Sequence, residues 1–393
     1  MYRIGKEEIE EISKVINSGQ LFRVGDPAAG HLGEVEKFEE EWAAKIGTKY
    51  ALQMCGGGTA ALVCCMAGLG VGPGDEVIVP AYTWLATATS VLTVGAIPVL
   101  ADVDETLALD PNEIDRLMTP NVKAVIPVHM SGRPANLEAI VAKAKQYGIK
   151  VIEDSCQMVG GSYKGKRTGS WGDAGAFSFN FFKIISSGEG GALVTNNEAV
   201  YERAYVYHDS GAAFRPKAAE LGIPIFVSQQ YRADEFHGAI MRMQMQKLDG
   251  ILADLRKNAR ALEAAVAAGG KVKVAPSNDI DGDCGVVAAF SFCCEEKARK
   301  FAEAAGGMLP IDSGKHVYTN WECLLEKNIG HHPAMNPFFF EANKGLRMEF
   351  GAEVCAKTLQ LLKQVVYIGI SPDWTETELQ ARISTCQKAA ESI

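Results

Sequence analysis

The stretch "VKAVIPVHMSGRPANLEAIVAKAKQYGIKVIEDSCQ", residues 122–157, decides the fold class. "VKAVIPVHM" is a short apolar run ending in polar residues. "NLEAIVAKAKQYG" repeats its apolar positions at helical spacing and stops at Gly148. "KVIEDS" is a second apolar run. An apolar strand, an amphipathic helix and a further apolar strand predict a right-handed crossover between parallel neighbours.

The same alternation extends outward. Residues 31–47, "HLGEVEKFEEEWAAKIG", predict an amphipathic helix ended by a glycine, and residues 60–69 a second helix after "CGGGT". "EVIVP" and "AIPVLADVD" are apolar strands, with a helix predicted from about Thr83 between them. "AFSFNFF" and "ALVT" add two strands around Lys183, and a long helix is predicted over about 233–265. The fold class is therefore α/β, with a mainly parallel sheet flanked by helices. Sites in such sheets lie beyond the carboxyl ends of the strands, where Trp84, His129 and Asp154 stand. The material after the long helix differs: one strand, "VVAAFSF", and helices at "EKARKFAEAAG" and "TETELQARISTCQKAAE". The 393 residues exceed what one core usually serves, so two domains are expected. Residues 1–250 form the large α/β domain and 251–393 a smaller α+β domain, with the N-terminal helix able to pack on the latter.

Composition excludes several classes. A net charge of −9 without a basic run argues against nucleic acid. No apolar run approaches the length of a membrane span, and the start, "MYRIGKEEIEEISKVINSG", reads as a polar amphipathic helix rather than a signal peptide. The ten cysteines lie mostly in apolar runs and form no CxxC pair, which predicts buried free thiols in a reducing cytoplasm and no metal site.

Four features bear on chemistry. "QMCGGGTAAL", residues 53–62, places Gly58, Thr59 and Ala60 at a helix start, where it is either an anion cradle or a simple turn. Asp154 is either a helix cap or a carboxylate that holds a ring nitrogen protonated. Trp84 ends a strand. Lys183, in "SFNFFKIISSGEGGALVTNN", is either a solvated strand end or a required amine. Taken in order, a cradle, an aromatic, a buried acid and a lysine are the groups that pyridoxal phosphate needs. The lysine forms the Schiff base, the acid keeps the pyridinium charged and the aromatic stacks on the ring.

With these motifs in place, the chain resembles the DegT–StrS family of pyridoxal-phosphate-dependent sugar aminotransferases. The motifs are "GGGTAAL", "GPGDEVIVPAYTWLATA", "VHMSGRPANLEAI", "VIEDSCQMVGGSYKGKRTGSWGDAGAFSFNFFKIISSGEGGALVTNN" and "QYRADEFHGAIMRMQMQKLD", spanning about residues 35–250. The resemblance implies the fold-type I aminotransferase architecture. It implies Lys183 as the Schiff-base lysine, Asp154 at the pyridine nitrogen, Gln157 near the phenolic oxygen, Trp84 on the ring, and Thr59, Ala60 and Ser178 at the phosphate. The segment around Gln230 matches a loop that reaches the partner subunit's cofactor. There the family carries an asparagine, and this chain reads "SQQYR".

The implied reaction takes an amino group from glutamate or glutamine to a keto sugar, nucleotide-linked first of all, in a homodimer with shared sites. A keto cyclitol or keto sugar acid as acceptor, a sugar dehydratase, and a non-catalytic relative are the alternatives; retention of Lys183 favours transamination over dehydration. His129, Arg232, His331 and His332 are candidate substrate contacts, each weighed against a structural role, and Glu189 reads as a turn residue. The stretches "LFRVGDPAAGH" and "KHVYTNWECLLEKNIGHHPAMNPF" are expected to decide the acceptor. Met241, Met245 and Leu248 line one helix face, fitting either the chain's own core or a subunit interface.

Overall fold

The computed structural model describes residues 2–212, 220–328 and 330–393. Its first half alternates strands and helices as the apolar pattern requires. Helices α1 (Lys6–Ser18) and α2 (Glu34–Ile46) lead into β1 (Tyr50–Met54) and α3 (Gly57–Leu69). Then follow β2 (Glu76–Pro80), α4 (Ala86–Thr93), β3 (Ile97–Ala101), α5 (Asn112–Leu117), β4 (Val122–Val125), α6 (Leu137–Tyr147) and β5 (Lys150–Asp154). A small hairpin, β6 (Ser162–Tyr163) and β7 (Lys166–Arg167), precedes β8 (Ala174–Ser178), β9 (Gly191–Thr195) and α7 (Glu198–His208).

Seven of these strands form one sheet in the order β1-β9-β8-β5-β4-β2-β3. The β8-β5-β4-β2-β3 run is parallel, while β9 lies antiparallel to both its neighbours. Strands β2, β3 and β8 are buried along their whole length. They read as unbroken apolar runs because helices cover both faces.

Helix α8 (Glu235–Ala267) starts two residues later than the periodicity suggests, where the Asp234 carboxylate accepts from the amides of Phe236 and His237. It runs unbroken through residue 250. Met241 and Leu248 are fully buried and Met245 nearly so, packed with Phe38, Trp42 and Phe179 of the same chain. That face therefore belongs to the chain's own core, which corrects the interface reading of these methionines. Helix α1 docks on α8, with Glu8 accepting from Gln244 and pairing with Lys247. Beyond α8 lie β10 (Lys273–Val274), β11 (Val287–Ser291), α9 (Glu295–Ala305), the short α10 (Glu322–Leu325), α11 (Ala356–Leu362), β12 (Val365–Gly369) and α12 (Glu376–Glu391). The order β10-β11-β12 makes a separate antiparallel sheet.

No helix among the described residues is long and apolar enough to cross a membrane. None of the ten cysteines is in a disulfide.

Candidate active site

A cleft of about 450 Å³ opens beyond the carboxyl ends of the parallel strands. Its walls bring together Gly58, Thr59, Trp84, Asp154, Gln157, Ser178 and Lys183, residues that span 126 positions of sequence. A larger hollow of about 620 Å³ lies around α2, bordered by Arg23, Glu36 and Lys49. It holds none of these groups, so the chemistry, not the volume, locates the site.

The floor is the start of α3. Gly57 has φ 72°, a conformation that favours glycine. A methyl group on Gly58 would come within 2.4 Å of Cys156 Sγ and 3.0 Å of Ser178 Cβ. Only glycine lets the helix start close on the ends of β5 and β8. Amides in the first turn of a helix lack intrahelical partners, and those of Gly57, Gly58 and Thr59 stand at the cleft. Ala60 does not: it is almost fully buried, does not line the cleft, and its N–H is directed to Gly56 O at 3.4 Å. Ala60 therefore offers the cleft no free amide, contrary to the expectation, whereas Gly57, Gly58 and Thr59 line it.

Asp154 closes β5 and is 4% exposed. Its Oδ2 accepts from Thr87 Oγ1 at 2.8 Å and its Oδ1 from the Cys156 amide at 3.1 Å. Thr83 and Thr87 hydroxyls are 2.7 Å apart. A carboxylate only accepts, so Thr87 donates to Asp154 and Thr83 donates to Thr87. This relay orients the carboxylate rather than capping a helix. The neighbouring Cys156 thiol is pushed well above its usual range by burial and by Asp154, so it stays protonated.

Lys183 does not lie on a strand. Strand β8 ends at Ser178, and residues 179–190 form a hairpin connection tied by Phe179 N–H to Gly190 O (2.7 Å) and Phe181 N–H to Gly188 O (2.8 Å). Gly188 and Gly190 take φ 88° and 143°, which accounts for the dense glycines. Glu189, read as a turn residue, also lines the cleft and accepts from Asn180 Nδ2 at 3.0 and 3.2 Å.

Trp84 forms one wall, half exposed. Its ring packs at 5.1 Å against His316, which the sequence reading did not single out. The segment carrying His316 is stitched to the Trp84 loop by Thr83 N–H to His316 O (2.9 Å) and Leu85 N–H to Lys315 O (3.1 Å). Helix α4 consequently starts at Ala86 rather than Thr83. His316 Nδ1 lies 2.9 Å from Ser313 O. A carbonyl only accepts, so the proton is on Nδ1 and the Nε2 lone pair is available. Burial lowers the pKa of this ring, with repulsion from Lys183 acting in the same direction.

Four candidate substrate contacts do not line the cleft. His129 is fully buried: its Nδ1 accepts from Ala135 N–H (3.0 Å) and its Nε2 lies 3.4 Å from Glu153 Oε2, beneath the site. Arg232 pairs with Asp209 at 2.7 Å and lies over the Phe22 ring. His331 and His332 are exposed, with His332 Nδ1 accepting from the Ala334 amide (3.1 Å). Gln230 is exposed and also outside the cleft. Among the described residues no group of three His, Cys, Asp or Glu is placed to hold a metal ion.

The chain is similar to several known proteins. The chain is 42% identical over 206 residues to the spore coat polysaccharide biosynthesis protein SpsC of Bacillus subtilis (52% of this chain, 50% of that protein). It is 34% identical over 266 residues to the L-glutamine:2-deoxy-scyllo-inosose aminotransferase of Streptoalloteichus tenebrarius (66% and 62%). It is 38% identical over 220 residues to the GDP-perosamine synthase of Caulobacter vibrioides (56% and 58%). The matches thus span between half and about three fifths of the relatives' own lengths. Among solved structures, 3-amino-5-hydroxybenzoic acid synthase superimposes with a TM-score of 0.79 at 25% identity, covering 100% of this chain and 98% of that one. DesV of S. venezuelae, solved with a ketimine intermediate, gives 0.77 at 26% identity (98% and 95%). The architecture is that of fold-type I aminotransferases. A model of the DegT/DnrJ/EryC1/StrS aminotransferases matches residues 2–321, and the chain belongs to that family.

Proposed function

We propose that the protein is a pyridoxal-phosphate-dependent transaminase that moves an amino group from glutamate or glutamine to a keto sugar, with a nucleotide-linked sugar as the first acceptor to test. The observation that carries the reading is the single cleft lined by Lys183, a relay-held Asp154 and the first amides of α3. The relatives include a GDP-perosamine synthase and an aminotransferase of a deoxy-inosose, so a keto cyclitol is the second acceptor class.

The residues fit the cofactor. Free amides of Gly57, Gly58 and Thr59, with the helix dipole behind them and Ser178 beside them, suit a phosphate. Asp154 is a buried carboxylate with both oxygens oriented by donors, suited to a protonated ring nitrogen. Trp84 offers a flat apolar wall. When bound, pyridoxal phosphate supplies the electron sink that makes the proton on the donor's α-carbon removable.

The chain does the rest. Asp154 keeps a proton on the ring nitrogen. Lys183 takes the proton from the donor's α-carbon and, in the return half, delivers one to the carbon that carried the acceptor's ketone. Trp84 excludes water from one face. His316, neutral with its Nε2 free, accepts a hydrogen bond from an acceptor hydroxyl. A homodimer in which Gln230 reaches the neighbour's phosphate belongs to the same proposal, as does a division into two domains linked by α8.

The test is spectroscopic. Reconstituted protein should show a long-wavelength absorbance band that bleaches on adding glutamate or glutamine. The band should return on adding the correct keto sugar or cyclitol from a panel. Protein that stays colourless under reconstitution would rule the reading out.

A further inference from the structure

We infer that the turn Ser131–Arg133 is a positioning element that couples the C-terminal part of the chain to Gln157 and fixes which edge of its side-chain amide faces the cleft. This rests on the pyridoxal-phosphate reading of the site. Ser131 takes φ 54° and Gly132 φ 72°, two consecutive left-handed residues in the loop between β4 and α6. A serine in that region is uncommon and persists where its surroundings hold it.

The unusual geometry gives the Ser131 amide a specific task. Its N–H donates to Gln157 Oε1 at 3.0 Å. Gln157 lines the cleft. With Oε1 engaged, Nε2 is the edge left to face the cleft. Gln157 is therefore presented as a donor, suited to an anionic oxygen such as a phenolate, and not as an acceptor. Were the turn to relax, the amide could rotate and offer its oxygen instead, which would repel that same group.

The turn is gripped from the C-terminal side. Cys284 N–H donates to Gly132 O at 2.8 Å. A methyl group on Gly132 would lie 2.9 Å from Cys284 Cβ and 3.0 Å from Val286 Cγ2. Arg133, 5% exposed, donates through Nη2 to Ala275 O (3.1 Å) and to Pro276 O, and its Nε lies 3.6 Å from Asp283 Oδ2. The Ser131 side chain stands with the buried hydroxyls of Tyr82 and Tyr367, the latter on β12. Residues 275–286 and β12 thus seat on the turn, and the turn seats Gln157. Neither Arg133 nor Gly132 lines the cleft.

The experiment measures binding of pyridoxine phosphate, and of its analogue lacking the phenolic hydroxyl, to the full-length apo-protein by calorimetry. Neither probe can bond covalently to Lys183. Wild-type protein should prefer the hydroxylated probe by roughly three- to tenfold, the worth of one hydrogen bond, and Gln157→Leu should abolish that preference. Arg133→Met and Gly132→Ala should reduce the preference to the Gln157→Leu level while leaving affinity for the deoxy analogue within about twofold, since the phosphate cradle is untouched. Gly132→Ala perturbs by one methyl group and serves if Arg133→Met does not fold. Folded turn variants that keep the full wild-type preference overturn the inference, as does a Gln157→Leu protein that keeps it. Wild-type protein that binds neither probe overturns the cofactor reading itself, a distinct outcome.

Discussion

Replacing Thr87 with valine removes one oxygen and nearly preserves shape, which isolates the relay beneath the site. Thr87 is 1% exposed and Asp154 4%. The lost bond runs from a hydroxyl to a carboxylate at 2.8 Å. Hydrogen bonds to charged groups contribute about 1.5–3 kcal/mol. The Thr83 hydroxyl, also buried, loses its acceptor at the same time. Thr87→Val should therefore cost about 2–4 kcal/mol in urea unfolding of the apo-protein, and turnover should fall as Asp154 loses its orientation. Thr87→Ser keeps the hydroxyl and should retain most of the activity. A double-mutant cycle separates the causes: in an Asp154→Ala background the Thr87→Val change should cost well under half as much. If Thr87→Val unfolds with the wild-type midpoint and slope, or costs the same with Asp154 absent, the relay does not hold the carboxylate.

Lys183→Ala should leave phosphate-dependent cofactor binding detectable by calorimetry while removing the long-wavelength band and both half-reactions; near-normal turnover would refute the lysine's role. Gly58→Ala should cost about 1–3 kcal/mol by overpacking against Cys156 and Ser178, seen in thermal unfolding, and adding Cys156→Ala should recover part of it. Burial holds His208 neutral, with repulsion from Arg23 adding to it, lowering its pKa from 6.5 to about 3. The unfolded chain then binds a proton that the folded chain does not, so stability is full above pH 6.5 and falls by up to about 1.4 kcal/mol per pH unit as pH drops from 6.5 towards 3. His208→Gln should flatten that limb in acid-unfolding titrations, and an unchanged limb would refute the assignment.

Much of the fold was legible because the sheet is buried on both faces. Strands such as "EVIVP" are continuous apolar runs, and α6 carries helical spacing, an Asn136 cap and Gly148 at its end. The site was legible where a side chain stands at a strand end, as Asp154 does, or in the loop just beyond one, as Trp84 does. It was not legible where the decisive relation is a contact. Thr87 lies inside an ordinary helix, and only the approach of β5 reveals its partner. His316 comes from a run of short 3-10 turns without periodicity, brought to Trp84 by backbone bonds that no local pattern announces. It does fall within the stretch expected to shape the acceptor pocket. Arg232 and His129 carry reactive-looking groups, but the first is engaged by Asp209 and the second is fully buried away from the cleft. The strand expected to reach Lys183 stops at Ser178 because β9 returns antiparallel and closes a hairpin.

That reversal has a mechanical consequence. A lysine at the tip of a parallel strand would feed directly into a crossover, and its backbone would share the motions of the helix that follows. Here the chain turns back within twelve residues and pins itself to the adjacent strand on both sides of the turn. The amine is a flexible four-carbon lever on a fixed pivot. In the proposed reaction it would leave a bound group, act nearby and return by rotation of its side chain. Its local concentration is thus set by side-chain rotation alone, the condition under which an intramolecular amine outcompetes any free one.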